Sequence, residues 1–239
     1  MTKDLLWRGM LAGILAALLA TLFARVYAEP QVDRAIAFEA AHEAHAMGHA
    51  DDDAEPPVSR AVQKGVGLAT AVLLYGTAIG GLFSLVFAYG YGRIGRIGPR
   101  TLAVLIAALG FAIIAVVPAL KYPPNPPAVG HADTIQLRTG AYFAMIAISI
   151  VALVIAGRVR AMLVAPIGGF NALIAAVASY ILVVALAQLG LPHIDEVPAG
   201  FPASLLWDFR LASIGVQAIL WTTIGLAFGW MAERRIRRR

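Results

Sequence analysis

The chain has 239 residues, 60% of them hydrophobic and 14% charged, with no cysteine and a formal net charge of +5. An ordinary soluble domain carries about a quarter charged residues, so this composition excludes one. The missing cysteines exclude disulfides and thiolate metal sites. Charges leave long gaps, at residues 9–24, 65–92, 101–120, 139–157, 161–194 and 211–232. A helix needs roughly 20 apolar residues to cross a bilayer. These six runs predict an all-α, multi-pass membrane protein, a single domain of six transmembrane helices over about 5–27, 65–91, 101–120, 139–157, 162–189 and 204–230.

In chain order, the first run is the shortest, and Leu5-Leu6-Trp7 extends it when Arg8 snorkels to the interface. Its ending, Val26-Tyr27-Ala28, resembles a secretory cleavage site. The apolar stretch exceeds the roughly 7–15 residues of a signal core, and Arg25 precedes the supposed cut. A retained first span is therefore expected. The polar segment 28–63 follows, with Val32–His49 read as an amphipathic helix on the membrane surface and Asp51-Asp52-Asp53 and Pro56-Pro57 breaking it. Pro118 kinks or ends the third span. Four prolines among Pro123, Pro124, Pro126 and Pro127 then make a stiff, extended arm. An inner turn holding Arg158 and Arg160 separates spans four and five.

Spacing-four glycine pairs occur at Gly9 and Gly13, Gly76 and Gly80, and Gly225 and Gly229. Such pairs let helix backbones approach closely in lipid. They point to contacts made by spans one, two and six.

Orientation follows the Lys/Arg bias of short flanks. With both termini cytoplasmic, 12 of the 19 basic residues fall inside, including Lys3, Arg8, Arg100, Arg158 and Arg234. On that topology 12 of the 14 acidic residues and all five histidines fall outside. The net positive charge then belongs to the inner flanks, and no nucleic-acid partner is expected. The outer face is acidic and carries imidazoles, which attracts cations.

The densest ligand chemistry lies in the outer segment 28–63. Glu39, His42, His45, His49, Asp51, Asp52 and Asp53 combine neutral imidazoles with carboxylates, as borderline divalent metals require. On a helix the three histidines fall within an arc of about 60°. His131 with Asp133, and His193 with Asp195, supply further ligands from the other outer loops. A solvated acidic loop with incidental histidines is the competing account.

Trp207-Asp208-Phe209-Arg210 opens the last span at the depth of Arg25, Glu29 and Asp33. This set reads as an ion-pair girdle joining helices one and six, ahead of a transport role for Asp208. Polar side chains inside the spans are few, among them Thr21, Ser149, Asn171 and Gln217. Asn171 and Gln217 are the best mid-bilayer candidates, and each also fits a plain interhelical hydrogen bond. Met145 and Met162 read as packing residues. No P-loop and no His-Glu-x2-His pair is present, so no enzyme and no resident cofactor is expected.

The segments Lys121–Gly130 (KYPPNPPAVG), Arg138-Thr139 with Tyr142, and Phe201–Trp221 (FPASLLWDFRLASIGVQAILW) resemble the CbtA family of probable cobalt transporter subunits. Arg25-Val26, Pro30, Asp33 and Ala35–Glu39 are similar as well. The resemblance implies a small polytopic protein of the bacterial inner membrane, handling cobalt for cobalamin synthesis. It also implies a CbtB-type single-span partner bearing histidines.

Together the readings describe a membrane subunit of a divalent metal uptake system, with cobalt as the ion, capturing it on an outer His/carboxylate face. The alternative is a non-transporting accessory or scaffold subunit that stabilises a metal carrier.

Overall fold

A computed structural model of the chain describes residues 2–46, 58–95 and 97–237, with 43–46 and 132 described by their backbone alone. Every regular element among them is helical. In chain order these are α1 (Thr2–Phe23), a π-helical turn (Ala24–Ala28), α2 (Glu29–Ala46), α3 (Arg60–Val62), a second π-helical turn (Gln63–Gly67) and α4 (Leu68–Gly90). Then come α5 (Pro99–Gly110), a third π-helical turn (Phe111–Val116), α6 (Val117–Ala119), a 3-10 turn (Ala132–Thr134), α7 (Ile135–Gly190) and α8 (Ala203–Ile236). Among the described residues five helices are long and apolar enough to cross a membrane: Thr2–His42, Arg60–Gly90, Pro99–Ala119, Ile135–Gly190 and Ala203–Ile236. The chain divides into two units, one of Met1–Phe111, Asn125–Ala128 and Ala199–Arg239, the other of Ala112–Pro124 and Val129–Pro198.

In the first unit, α1 and α4 cross on their glycine pairs. A Cβ on Gly80 would lie 2.8 Å from Gly13 Cα, and one on Gly76 would lie 2.8 Å from Ala17 Cβ. Lipid gives helices no hydrophobic reason to associate, so close backbone approach supplies the attraction through dispersion. The third pair works the same way on another partner: Gly225 faces Ala107 and Gly229 faces Ala103, so α8 packs on α5. All three pairs therefore lie at helix crossings. Phe228 of α8 fills the space beside α4, edge-on to Phe83 at 5.3 Å and to Phe87 at 5.0 Å.

The end of this unit that carries both termini is tied by charge. Arg235 pairs with Asp4 at 2.8 Å, Arg100 pairs with Glu233, and Arg8 donates to the Met231 carbonyl at 3.3 Å. Trp7 and Trp230 are exposed at that end, and Tyr27 and Trp207 toward the other. Aromatic residues in two such bands suit the two bilayer interfaces. From Trp7 to Tyr27 the helix rises about 30 Å, the thickness of a hydrocarbon core.

In the second unit α7 is 56 residues long, with Gly168 (φ 80°, ψ 162°) as its one residue of non-helical backbone. A straight helix of that length would run about 84 Å. The chain instead turns back on itself. Ser149 Oγ and Tyr180 Oη hydrogen-bond at 2.7 Å, and Met145 and Ala152 share a buried cluster with Val184. The expected turn at 158–161 is not where the backbone leaves the helical region: helix continues through Arg158 and Arg160, and the non-helical residue comes two positions after Pro166. Only glycine adopts this φ, ψ combination freely, so local chemistry puts the break at Gly168 and not at the charges.

Hydrogen bonds from the start of the Pro-rich arm and from α7 also hold this unit. Lys121 Nζ donates to the Gln188 carbonyl, Tyr122 Oη to the Pro192 carbonyl at 2.8 Å and Tyr142 Oη to the Ile114 carbonyl at 3.3 Å. Met145 is fully buried, the packing role expected of it, while Met162 is exposed.

Candidate metal-handling site

The candidate site begins where α1 passes into α2. No non-helical residue separates them, since the π-helical turn at 24–28 hands directly to Glu29 (φ −58°, ψ −38°). The surface helix expected to start at Val32 is thus a continuation of the first span. The helix carries Glu29 and Asp33 one turn apart, and the approach to α4 carries Arg60 and Lys64 at the same spacing. The two pairs meet. Arg60 bonds Glu29 and reaches Asp33 at 3.0 Å, while Lys64 reaches Asp33 at 3.3 Å.

With Arg25 and Pro30, Glu29, Asp33 and Lys64 line a cleft of about 260 Å³. Burial works to raise the Asp33 carboxyl, but the hydrogen bonds and charges of Arg60 and Lys64 outweigh it and hold it below its ordinary value of 3.8. The ion pairs that this geometry gives these acids run to the residues leading into α4. Arg210 donates to Asn125 Oδ1 of the Pro-rich arm at 2.9 Å, and Asp208 is exposed. The equal spacing of the acid pair and the base pair was the sequence signal for this contact. Spacing cannot say which of several cations lies opposite.

Farther along α2, His42 stacks on Phe38 with ring centroids 4.2 Å apart, and Phe38 meets Phe201 edge-on at 4.9 Å. The imidazole rests on the Phe38 ring and stays exposed to solvent. Glu39 is half-buried one turn before it. His45 continues the same helix in its backbone. His49 and Asp51–Asp53 lie outside the described residues.

The second unit holds the other two histidines, both exposed. His131 contributes its backbone: the amide donates to Glu196 Oε2 at 2.9 Å, and its carbonyl accepts from Arg138 at 3.0 Å. Arg138 Nε lies 3.4 Å from the same Glu196 oxygen. Gly130 (φ 119°) makes room, since a Cβ there would run into the guanidinium. The Thr134 hydroxyl and the His131 amide, with Arg138 behind them, hold the Glu196 carboxyl below its ordinary value of 4.5. His193 lies in the same loop as Glu196, beyond Pro192.

Among the described residues no three His, Asp or Glu side chains gather into a metal-binding group. The structure brings Glu39 and His42 onto one helix and His131 against Glu196. Of the two mid-span candidates, Asn171 is exposed and donates to the Ile167 carbonyl of its own helix at 3.0 Å, while Gln217 has a buried oxygen with no partner among the described residues.

Apolar helices of spanning length, glycine-packed crossings and charges gathered at the helix ends define a multi-pass helical membrane protein. Within that class, the family model for the probable cobalt transporter subunit CbtA matches residues 2–233, and the chain belongs to that family. It is a family of transporter subunits and not of enzymes, and a subunit works with at least one other chain. No curated protein and no solved structure matches the chain.

Proposed function

We propose that this protein is the membrane-spanning subunit of a divalent metal uptake system, with cobalt as its ion. The family match over residues 2–233 carries the reading. In this reading α7 crosses twice, giving six crossings with both termini in the cytoplasm of a bacterial cell and its inner membrane as the site. The outer helix α2 then presents Glu39 and His42 to arriving ions, with His45, His49, Asp51, Asp52 and Asp53 as the further ligands the sequence supplies. His131 and His193 act as further outer imidazoles on the second unit. The stacking of His42 on Phe38 supports a ligating role, because a ring held in place loses less freedom when it binds an ion.

Imidazoles ligate only when neutral, so capture weakens as acid protonates them. Cobalt is not intrinsically preferred over nickel, copper or zinc by such ligands. Selectivity therefore belongs to the membrane interior or to the CbtB-type partner.

The experiment is cobalt uptake in cells expressing this chain alone, the partner alone, both together, and the partner with the variant in which His42, His45 and His49 are changed to alanine. Uptake that requires the partner and falls in the triple variant is expected. Equal uptake by wild type and triple variant refutes capture by the outer histidines. Uptake by the partner alone, unchanged by adding this chain, favours a scaffold role.

A further inference from the structure

Thr21 Oγ1 on α1, and Gln217 Oε1 and Trp221 Nε1 on α8, are buried, and none has a hydrogen-bond partner among the described residues. Trp221 is only 5% exposed. These atoms belong to one region of the first unit. α1 and α8 run antiparallel: Arg8 meets the Met231 carbonyl, and farther along a Cβ on Gly215 would lie 2.8 Å from the Phe23 ring. The register between those contacts puts Thr21 at the level of Gln217. Trp221 follows one turn later on the same face of α8, its ring against Gly110 of α5.

The depth is within hydrocarbon. Thr21 lies six residues, about 9 Å, inside the Tyr27 band. Orphaned polar atoms are rare in any protein interior, and lipid offers them no alternative partner. The backbone is irregular at the same place. α1 gives way to a π-helical turn at Ala24, three residues after Thr21, and α5 does so at Phe111, the residue after Gly110. Such turns concentrate at functional sites.

The chemistry of the three groups selects a ligand. A hydroxyl and an amide oxygen accept hydrogen bonds, and an indole N–H donates one. None is a carboxylate or imidazole, so the set is poor at binding a bare cobalt ion. It suits water, which both donates and accepts, and therefore suits the water shell of a hydrated cation. We infer that Thr21, Gln217 and Trp221 line a hydrated site inside the membrane through which the divalent ion passes with its water shell. The ion's part in this rests on the transport reading above; the hydration of the site does not.

The chain is free of cysteine, so Thr21→Cys and Gln217→Cys each carry a single thiol. A thiol reacts as the thiolate, which a dry apolar interior suppresses. The assay is labelling of each variant in membranes by a small charged methanethiosulfonate, with and without cobalt(II). Ala199→Cys, in an exposed loop turn, is the reactive control. Leu226→Cys, on the exposed apolar face of α8, is the unreactive one.

Thr21→Cys and Gln217→Cys are expected to label within about tenfold of the reactive control, with cobalt slowing both and leaving that control unchanged. Silence at both positions overturns the hydrated site. Labelling that cobalt does not slow overturns its assignment to the ion. Should one variant fail to fold, as gel filtration reports, the other decides. Normal labelling and cobalt protection, with uptake unaffected by the outer histidines, refutes the capture reading and leaves this site standing.

Discussion

Replacing Gly80 by alanine tests how the membrane bundle is held. The added Cβ would sit 2.8 Å from Gly13 Cα and 2.9 Å from Gly13 N, and closer still to the Gly9 carbonyl oxygen. Carbon atoms attract best at about 3.5–4.0 Å, so α1 and α4 must part by roughly 1 Å. A gap of that size forfeits about a quarter to a half of the dispersion energy at each contact along the crossing. Overpacking typically costs about 1–3 kcal/mol. Here the obstructing atoms are backbone on a neighbouring helix and cannot rotate away, so the upper end, about 3 kcal/mol, is expected.

Gly157→Ala is the matched control. It lies within α7 with no atom within 4 Å of its would-be Cβ, and relief of glycine's entropy cost should stabilise it by about 0.5–1 kcal/mol. The assay is the thermal midpoint of each purified variant in one detergent, followed by loss of the monodisperse peak. An unchanged midpoint for Gly80→Ala, or an equal loss for Gly157→Ala, refutes glycine-mediated contact as the source of stability.

The α7 reversal gives a second expectation. Gly168→Ala forces a side chain into a φ, ψ region nearly closed to alanine and should cost about 1–3 kcal/mol, read by the same midpoint, although its would-be Cβ also has open space around it. The Glu196 clamp gives a third. Its folded-state pKa lies below the ordinary 4.5, so its stabilisation is complete above that pH and is lost as pH falls through the lower folded value. Glu196→Gln should therefore flatten the decline of the thermal midpoint below pH 4.5 relative to wild type; an identical acid profile would remove Glu196 from the stability account.

The helical class and most of the spans were legible along the chain because a bilayer imposes a local rule. A segment must be apolar for about 20 residues, and its backbone must satisfy its own hydrogen bonds, which leaves only helix for chains of this pattern. The glycine pairs were legible for a similar reason, since a fixed spacing on one helix face marks where another backbone can approach. Gly9, Gly13, Gly76, Gly80, Gly225 and Gly229 all proved to lie at crossings.

Pairing between distant segments was a different matter. Glu29 and Asp33 found Arg60 and Lys64, and Arg210 found Asn125. Phe38 found Phe201, and the α7 break fell at Gly168 and not beside Arg158. Charge and ring contacts depend on which helix faces which at a given depth, and no local spacing encodes that. Gln217 shows the division well: the sequence marked it as a polar residue in mid-span one turn before Trp221, and only the register of α1 against α8 set it level with Thr21. By itself the sequence determined that this chain is built of helices fit to cross a membrane and where glycine lets their backbones touch. The tertiary structure decided which polar groups are answered and which are left facing inward, because that depends on neighbours brought together from across the chain.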